Sequence, residues 1–226
     1  MTGLKGSARP VPERLLAPPI AELVERARAL AGPGRRRLLG IAGPPGAGKS
    51  TVAQAVVAAL GPSQAVLVPM DGFHLANEDL VRVGLRDRKG APETFDAAGY
   101  VALLARLREQ GPGAAPIPVP DFRRDLDAVV PDAFGVAASI PLVVTEGNYL
   151  LLDEGPWAAI RELLDEAWYL AADAQRVERL IARHVEHGKA PGHARDWVHR
   201  SDEANTRRIE PTIARADLVV EGLPTA

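Results

Sequence analysis

The chain has 226 residues, 46% of them hydrophobic and 25% charged, which suits one compact domain with a sizeable core and is short for two. A formal net charge of -2 excludes the basic excess of a typical nucleic-acid binder. The lack of cysteine excludes a disulfide framework and a thiolate zinc site, and no run reaches the roughly 18 apolar residues that a membrane helix needs.

The opening stretch to Pro19 mixes proline, glycine and isolated charges, and residues 1–19 are expected to be flexible. Residues 20–226 read as a single domain. Ile20, Leu23, Val24, Ala27 and Leu30 share one helical face, and Gly32-Pro33-Gly34 ends that helix. Arg35, Arg36 and Arg37 form the one dense basic run, too short for a nucleic-acid surface.

Arg37 to Ala42 reads as a short buried strand, and a helix follows from about Gly48 to Leu60, stopped at Gly61-Pro62. Ala65 to Val68, Leu142 to Val144, Ala167 to Leu170 and Leu218 to Val220 are further continuous apolar runs of the kind found in buried parallel strands. Helical stretches, including Asp96 to Glu109 and Gln175 to His187, lie between them. The alternation predicts an α/β fold, a three-layer sandwich with a parallel sheet of about five strands and helices on both faces. Such sheets bind ligands beyond the carboxyl ends of their strands, where Lys49, Asp71 and Glu146 all fall.

Gly43-Pro44-Pro45-Gly46-Ala47-Gly48-Lys49-Ser50 fits the G-x-x-x-x-G-K-[ST] pattern between a strand and a helix. Glycines let the loop curl so that successive N–H groups face an anion, and the helix N-terminus adds its positive end. Lys49 is then a ligand for the β- and γ-phosphates, Ser50 a ligand for Mg²⁺, and Thr51 the next nucleotide-side residue. ATP and Mg²⁺ are the expected cofactors. No N-K-x-D stretch for guanine recognition is present. Transfer to a hydroxyl needs a base, and Asp71 and Glu146, each following a strand, are candidates for base and metal ligand.

Pro69-Met70-Asp71-Gly72-Phe73-His74, Lys89-Gly90-Ala91-Pro92-Glu93-Thr94-Phe95-Asp96 and Val144-Thr145-Glu146-Gly147-Asn148-Tyr149-Leu150-Leu151, together with the phosphate loop, resemble the P-loop kinase family of uridine kinase, phosphoribulokinase and bacterial pantothenate kinase. The likeness is nearest to a bacterial branch labelled nucleoside kinase-like or fructose-transport-associated kinase. The resemblance implies that Asp71 is the base toward the acceptor hydroxyl and that Glu146 lies near metal and phosphates. It also implies a helical lid at about 174–210 carrying Arg176, Arg179 and Arg183. These lie at i, i+3 and i+7 on one helix face; Arg183 is the first choice for the transferred phosphoryl group and Arg179 the next.

The same resemblance points to an acceptor pocket. Asp96, Asp121 and Tyr149 are its candidates, and His74, one helical turn or less from Asp71, is placed to donate to a substrate oxygen. The tyrosine and histidine that uridine kinases place around V-Y-D-F are replaced here by Pro120 and Asp125, which turns the expectation from a pyrimidine nucleoside toward a sugar or nucleoside-like polyol, with pantothenate second. Asp121, Arg123, Arg124, Asp125 and Asp127 form a polar cluster able to meet hydroxyls. Gly188 to Gly192 is expected to separate the first lid helix from a second at about His193 to Ile209. His184, His187, His193 and His199 match no ligand spacing and receive no role, and Trp157, Trp168 and Trp197 read as packing anchors. The partner expected is thus a small-molecule substrate of a cytoplasmic kinase, without nucleic acid or membrane, and a homodimer is compatible with the sequence.

Overall fold

The computed structural model describes residues 10–32, 34–186 and 188–222. Among them six strands form one parallel sheet: β1 (Glu13–Leu16), β2 (Arg37–Ala42), β3 (Ala65–Pro69), β6 (Leu142–Gly147), β7 (Glu166–Leu170) and β8 (Leu218–Glu221), in the order β1-β8-β7-β2-β6-β3. A separate antiparallel hairpin joins β4 (Ile117–Arg123) to β5 (Ala128–Val136). The helices are α1 (Ile20–Leu30), α2 (Lys49–Leu60), α3 (Asn77–Arg82), α4 (Ala97–Glu109), α5 (Ile160–Leu163), α6 (Arg176–Glu186), α7 (Pro191–Trp197) and α8 (Glu203–Ile209).

Apart from the edge strand β1, both faces of the sheet are covered, and the period-2 alternation of the strands divides their side chains between two cores. Leu38, Val143, Ala167, Tyr169 and Val219 face a core shared with Tyr100, Leu103, Leu104 and Leu107 of α4. Leu39, Ile41, Leu142, Val144, Trp168, Leu170, Leu218 and Val220 face the opposite core, closed by Leu23, Val24 and Ala27 of α1 and Val52, Ala53 and Val56 of α2. This is why the strands read as unbroken apolar runs.

Two expectations are corrected. The sheet has a sixth strand, because Glu13–Leu16, inside the stretch expected to be flexible, pairs in parallel with Leu218–Glu221. Its side chains are mostly exposed, so no apolar pattern marks it, and backbone pairing with β8 holds it. Residues 1–9 lie outside the described residues. The hairpin β4–β5 was also not anticipated, since Pro118, Pro120 and Pro131 interrupt it; a two-stranded ribbon tolerates proline where a central strand would not, and its register shifts between Val119 and Asp121.

The basic run has a structural use. Arg36 is buried and donates to the carbonyls of Ile140, Leu107 and Ala137, bracing the start of β2 against the end of α4 and the approach to β6. Arg35 and Arg37 both pair with Asp165. The second lid segment begins at Pro191, a few residues before the expected start, because proline suits the first turn of a helix. It is interrupted by a π turn at Val198–Asp202 before α8. Among the described residues no helix is long and apolar enough to cross a membrane.

Candidate active site

Strand register assembles the site. Ile41 of β2 and Pro69 of β3 both align with Glu146 of β6, so the loop after Ala42, the turn after Pro69 and the end of β6 emerge side by side at the carboxyl edge of the sheet. Beyond β2 the chain enters the phosphate loop, where Gly46 has φ +79° and Gly48 has φ +88°, left-handed values that bring the loop round to the start of α2. A β-carbon on Gly46 would stand 2.7 Å from Cγ of Leu180 on α6, so the loop and the lid are in direct contact.

Lys49 is buried, and its ammonium donates to the Pro44 carbonyl at 2.9 Å and to Oδ1 of Asn148 at 2.7 Å. Burial pushes it down to about 8, against the opposing pull of Glu146 and Asp71. Ser50 Oγ donates to Oε1 of Glu146 at 3.0 Å. Burial raises Glu146 above the usual carboxylate range; Asp71 adds to this, and Lys49 and the Ser50 hydrogen bond oppose it.

Asp71 lies in the short turn Met70–Phe73, and its carboxylate pairs with Arg124 of the hairpin at 3.3 Å. The hairpin reaches it because Gly72 has no side chain: a β-carbon there would stand 2.5 Å from the Pro120 carbonyl oxygen. His74 Nδ1 lies 2.8 Å from the Asp71 carbonyl, which can only accept, so Nδ1 carries the proton. Burial lowers the imidazole pKa, leaving a neutral ring with Nε2 as an acceptor. This reverses the expected polarity, in which His74 donates to a substrate oxygen.

One cavity of about 640 Å³ is lined by Lys49, Ser50, Asp71, His74, Glu146 and Arg183. A smaller hollow of about 210 Å³ beside the loop is lined by Gly46, Gly48, Lys49, Ser50, Thr51, Arg179 and Arg183. Arg176 is buried, donates to the Pro45 carbonyl at 3.2 Å and pairs with Glu203. Arg179 donates to the Gly46 carbonyl at 3.1 Å and pairs with Asp173 at 2.8 Å. The two arginines thus turn toward the loop. Nη1 of Arg179 is a buried donor without a hydrogen-bond partner among the described residues, a position that an anion in the loop would satisfy.

Three of the four acceptor-pocket candidates fall outside the cavity. Asp96 is the N-cap of α4, its carboxylate accepting from the Gly99 N–H at 2.8 Å. Asp121 accepts from the N–H of Phe122 at 2.9 Å within β4. Tyr149 is fully buried, packs against Trp157 with ring centroids 5.4 Å apart, and donates to the Gly90 carbonyl. Each was placed by its neighbourhood in sequence, and its side chain serves a local hydrogen bond or the core. Of the polar cluster, Arg124 and Asp127 reach the cavity, while Arg123 and Asp125 pair with each other at 2.7 Å, both exposed.

Several cavity residues carried no sequence assignment. Asn148, which holds Lys49, sits two residues after Glu146, and its place in the same motif was the available signal. Lys89 pairs with Asp127 at 2.7 Å and stands 5.2 Å from the Phe122 ring centroid. Phe95 and Phe122 flank His74, with ring centroids 4.1 and 4.8 Å away, forming an aromatic wall. Trp157 and Trp168 are buried as expected, but Trp197 is half-buried in the cavity wall.

The donor set fits a metal-bound nucleoside triphosphate: a curled backbone and a buried orphan guanidinium N–H for phosphate, and adjacent hydroxyl and carboxylate oxygens in Ser50 and Glu146 of the kind Mg²⁺ prefers.

Comparison with known proteins identifies the family. The model of the phosphoribulokinase / uridine kinase family matches residues 38–226. YggC of Escherichia coli is 38% identical over 194 residues, covering 84% of this chain and 79% of that protein. A Schizosaccharomyces pombe protein named "putative uridine kinase" is 30% identical over 213 residues, covering 89% and 90% of the two chains. A crystal structure from Silicibacter sp. TM1040, described as a "putative fructose transport system kinase", superposes with a TM-score of 0.77 at 36% identity, covering 88% of this chain and 98% of the other. With its phosphate loop at the head of a parallel sheet and most of its length matched, the chain belongs to the phosphoribulokinase / uridine kinase family of P-loop kinases.

Proposed function

We propose that this kinase transfers the γ-phosphoryl group of ATP to a hydroxyl of a small neutral polyol, a sugar or nucleoside-like compound. The observation that carries this reading is the joint lining of one cavity by Lys49, Ser50 and Glu146 from the phosphate side and by Asp71 from the neighbouring strand end. The backbone of Gly43, Pro44, Pro45, Gly46, Ala47 and Gly48 holds the phosphates, and Lys49, Arg183 and Arg179 offset their charge. Asp71 accepts the proton of the acceptor hydroxyl as its oxygen attacks phosphorus, and ADP departs with the bridging oxygen. Ser50 and Glu146 would hold Mg²⁺, which supplies neutralisation of charge on the phosphate oxygens.

Charge favours a neutral acceptor. The described cavity wall carries six Lys or Arg side chains against four carboxylates. Arg179 beside it is offset by Asp173. A magnesium-bound triphosphate is itself dianionic and takes up that surplus, leaving little for an anionic acceptor. The wall of His74, Phe95 and Phe122 offers flat apolar surface for a ring. An acceptor bearing a carboxylate, such as pantothenate, is the second reading, favoured by the presence of both Arg86 and Lys89 against the single Asp127.

The test is ADP release with D-fructose, D-ribose, uridine and pantothenate, on wild type and Asp71→Asn. At least one acceptor is expected to stimulate wild-type release, and Asp71→Asn is expected to lower kcat by about 10²–10⁴-fold with the KM for ATP unchanged. The Asp71–Arg124 pair is partly exposed, so its loss costs the fold about 1 kcal/mol or less. Equal ADP release with and without every acceptor would refute transfer, and Asp71→Asn behaving as wild type would favour a nucleotide-binding regulator.

A further inference from the structure

We infer that the lid recognises the acceptor as well as neutralising phosphate: His184, Asp202 and Asn205 form a polar edge that takes acceptor hydroxyls. This rests on the phosphotransferase reading above and names residues that the reading does not use.

His184 follows Arg183 on α6, and its Nε2 lies 3.0 Å from Oδ2 of Asp202. The two side chains are only 16% and 12% exposed, yet both line the cavity that contains Asp71. A pair that served only to staple two helices would have no need of that position. Asp202 closes the π turn Val198–Asp202, and such a widened turn displaces side chains from the direction that a regular helix would give them; π turns recur at functional sites for this reason. Thr206 Oγ1 donates to the Asp202 carbonyl at 2.8 Å, fixing the backbone from which the carboxylate projects.

Asn205 ties this edge to the body of the protein. Its Nδ2 donates to the Gly90 carbonyl at 3.3 Å, the same carbonyl that accepts from Tyr149. Gly90 lines the cavity next to Lys89, so the lid and the Lys89–Phe95 stretch meet at the cavity wall. Trp197 completes the edge, its ring 6.5 Å from that of His184 and 5.0 Å from Nζ of Lys189. A flat aromatic surface beside a carboxylate, an imidazole and a carboxamide suits a compound with an apolar ring face and several hydroxyls. His184 and Arg183 are consecutive on α6 and both line the cavity, so one element would serve the phosphates and the acceptor together.

The experiment measures steady-state kinetics for wild type, His184→Gln, Asp202→Asn and Asn205→Ala, using whichever of D-fructose, D-ribose, uridine and pantothenate wild type phosphorylates best. Recognition predicts that the acceptor KM rises about tenfold or more in His184→Gln and Asp202→Asn, with the KM for ATP unchanged, and that the ranking of the acceptors shifts. If wild type is active and every variant keeps its acceptor KM within about twofold, the inference fails while the kinase reading stands. It fails in the same way if the KM values for ATP and acceptor rise together, or if MgATP no longer raises the melting temperature of any variant, since the residues then only hold the lid together. If wild type phosphorylates none of the probes, the polyol reading fails and this inference fails with it.

Discussion

Replacing Gly46 with alanine puts a methyl group where the phosphate loop meets the lid. At φ +79° an alanine pays the left-handed penalty of about 1–2 kcal/mol. The new carbon would also lie 2.7 Å from Cγ of Leu180 and 3.1 Å from Cγ of Arg176. Leu180 has no exposed surface, so it cannot swing into solvent, and either α6 lifts or the loop flattens. Overpacking of this kind costs about 1–3 kcal/mol. The two effects together give about 2–5 kcal/mol, and at about 1.4 kcal/mol per factor of ten the lower bound is a roughly 30-fold loss if it falls on the nucleotide-competent state. Isothermal titration with MgATP is therefore expected to show a Kd at least about 30-fold higher, with a lowered melting temperature. Gly192→Ala is the control, because a β-carbon there meets nothing within 4 Å and its φ is ordinary; binding should not change. If Gly46→Ala binds MgATP within about threefold of wild type, the loop is not the constrained cradle described above.

Two further outcomes concern charge. Glu146→Gln keeps an acceptor for the Ser50 hydroxyl but removes the metal-binding charge, so the Mg²⁺ concentration for half-maximal turnover should rise about 10–100-fold while metal-free ATP binding persists; an unchanged Mg²⁺ titration would exclude Glu146 as a ligand. Because burial raises its pKa, wild-type activation by Mg²⁺ should fail on acidification at a pH above the ordinary carboxylate range. Lys49, held down to about 8, must be protonated to meet phosphate, so ATP affinity should be level below that pH and weaken above it, by up to about tenfold per pH unit. Titrations in buffers of different ionisation enthalpy should register net proton uptake near pH 8, and affinity that stays level well above that pH would remove Lys49 from the phosphate site.

The phosphate loop, the buried strands from β2 onward and the strand-end acids Asp71 and Glu146 were legible in the sequence because each is dictated locally. A curled anion nest needs glycine at particular positions, a strand buried on both faces needs continuous apolar residues, and an acid after such a strand falls at the carboxyl edge. The spacing of Arg176, Arg179 and Arg183 likewise placed them together on one lid face, and the structure turns Arg176 and Arg179 of that face onto the loop.

Tertiary structure alone decided what depends on partners distant in sequence. β1 is a strand only because β8 offers an edge to pair with, and its exposed side chains give no sign of it. Asp96, Asp121 and Tyr149 sit in or beside the right motifs, but a helix cap, a hydrogen bond within β4 and an aromatic core claim their side chains. Conversely, His184 and Asp202, 18 residues apart, become a pair only when the lid folds back and a π turn redirects the carboxylate. Composition and periodicity determine which face of an element is buried; whether a polar side chain faces a cavity or its own backbone depends on which hydrogen-bond partner the folded chain puts within reach.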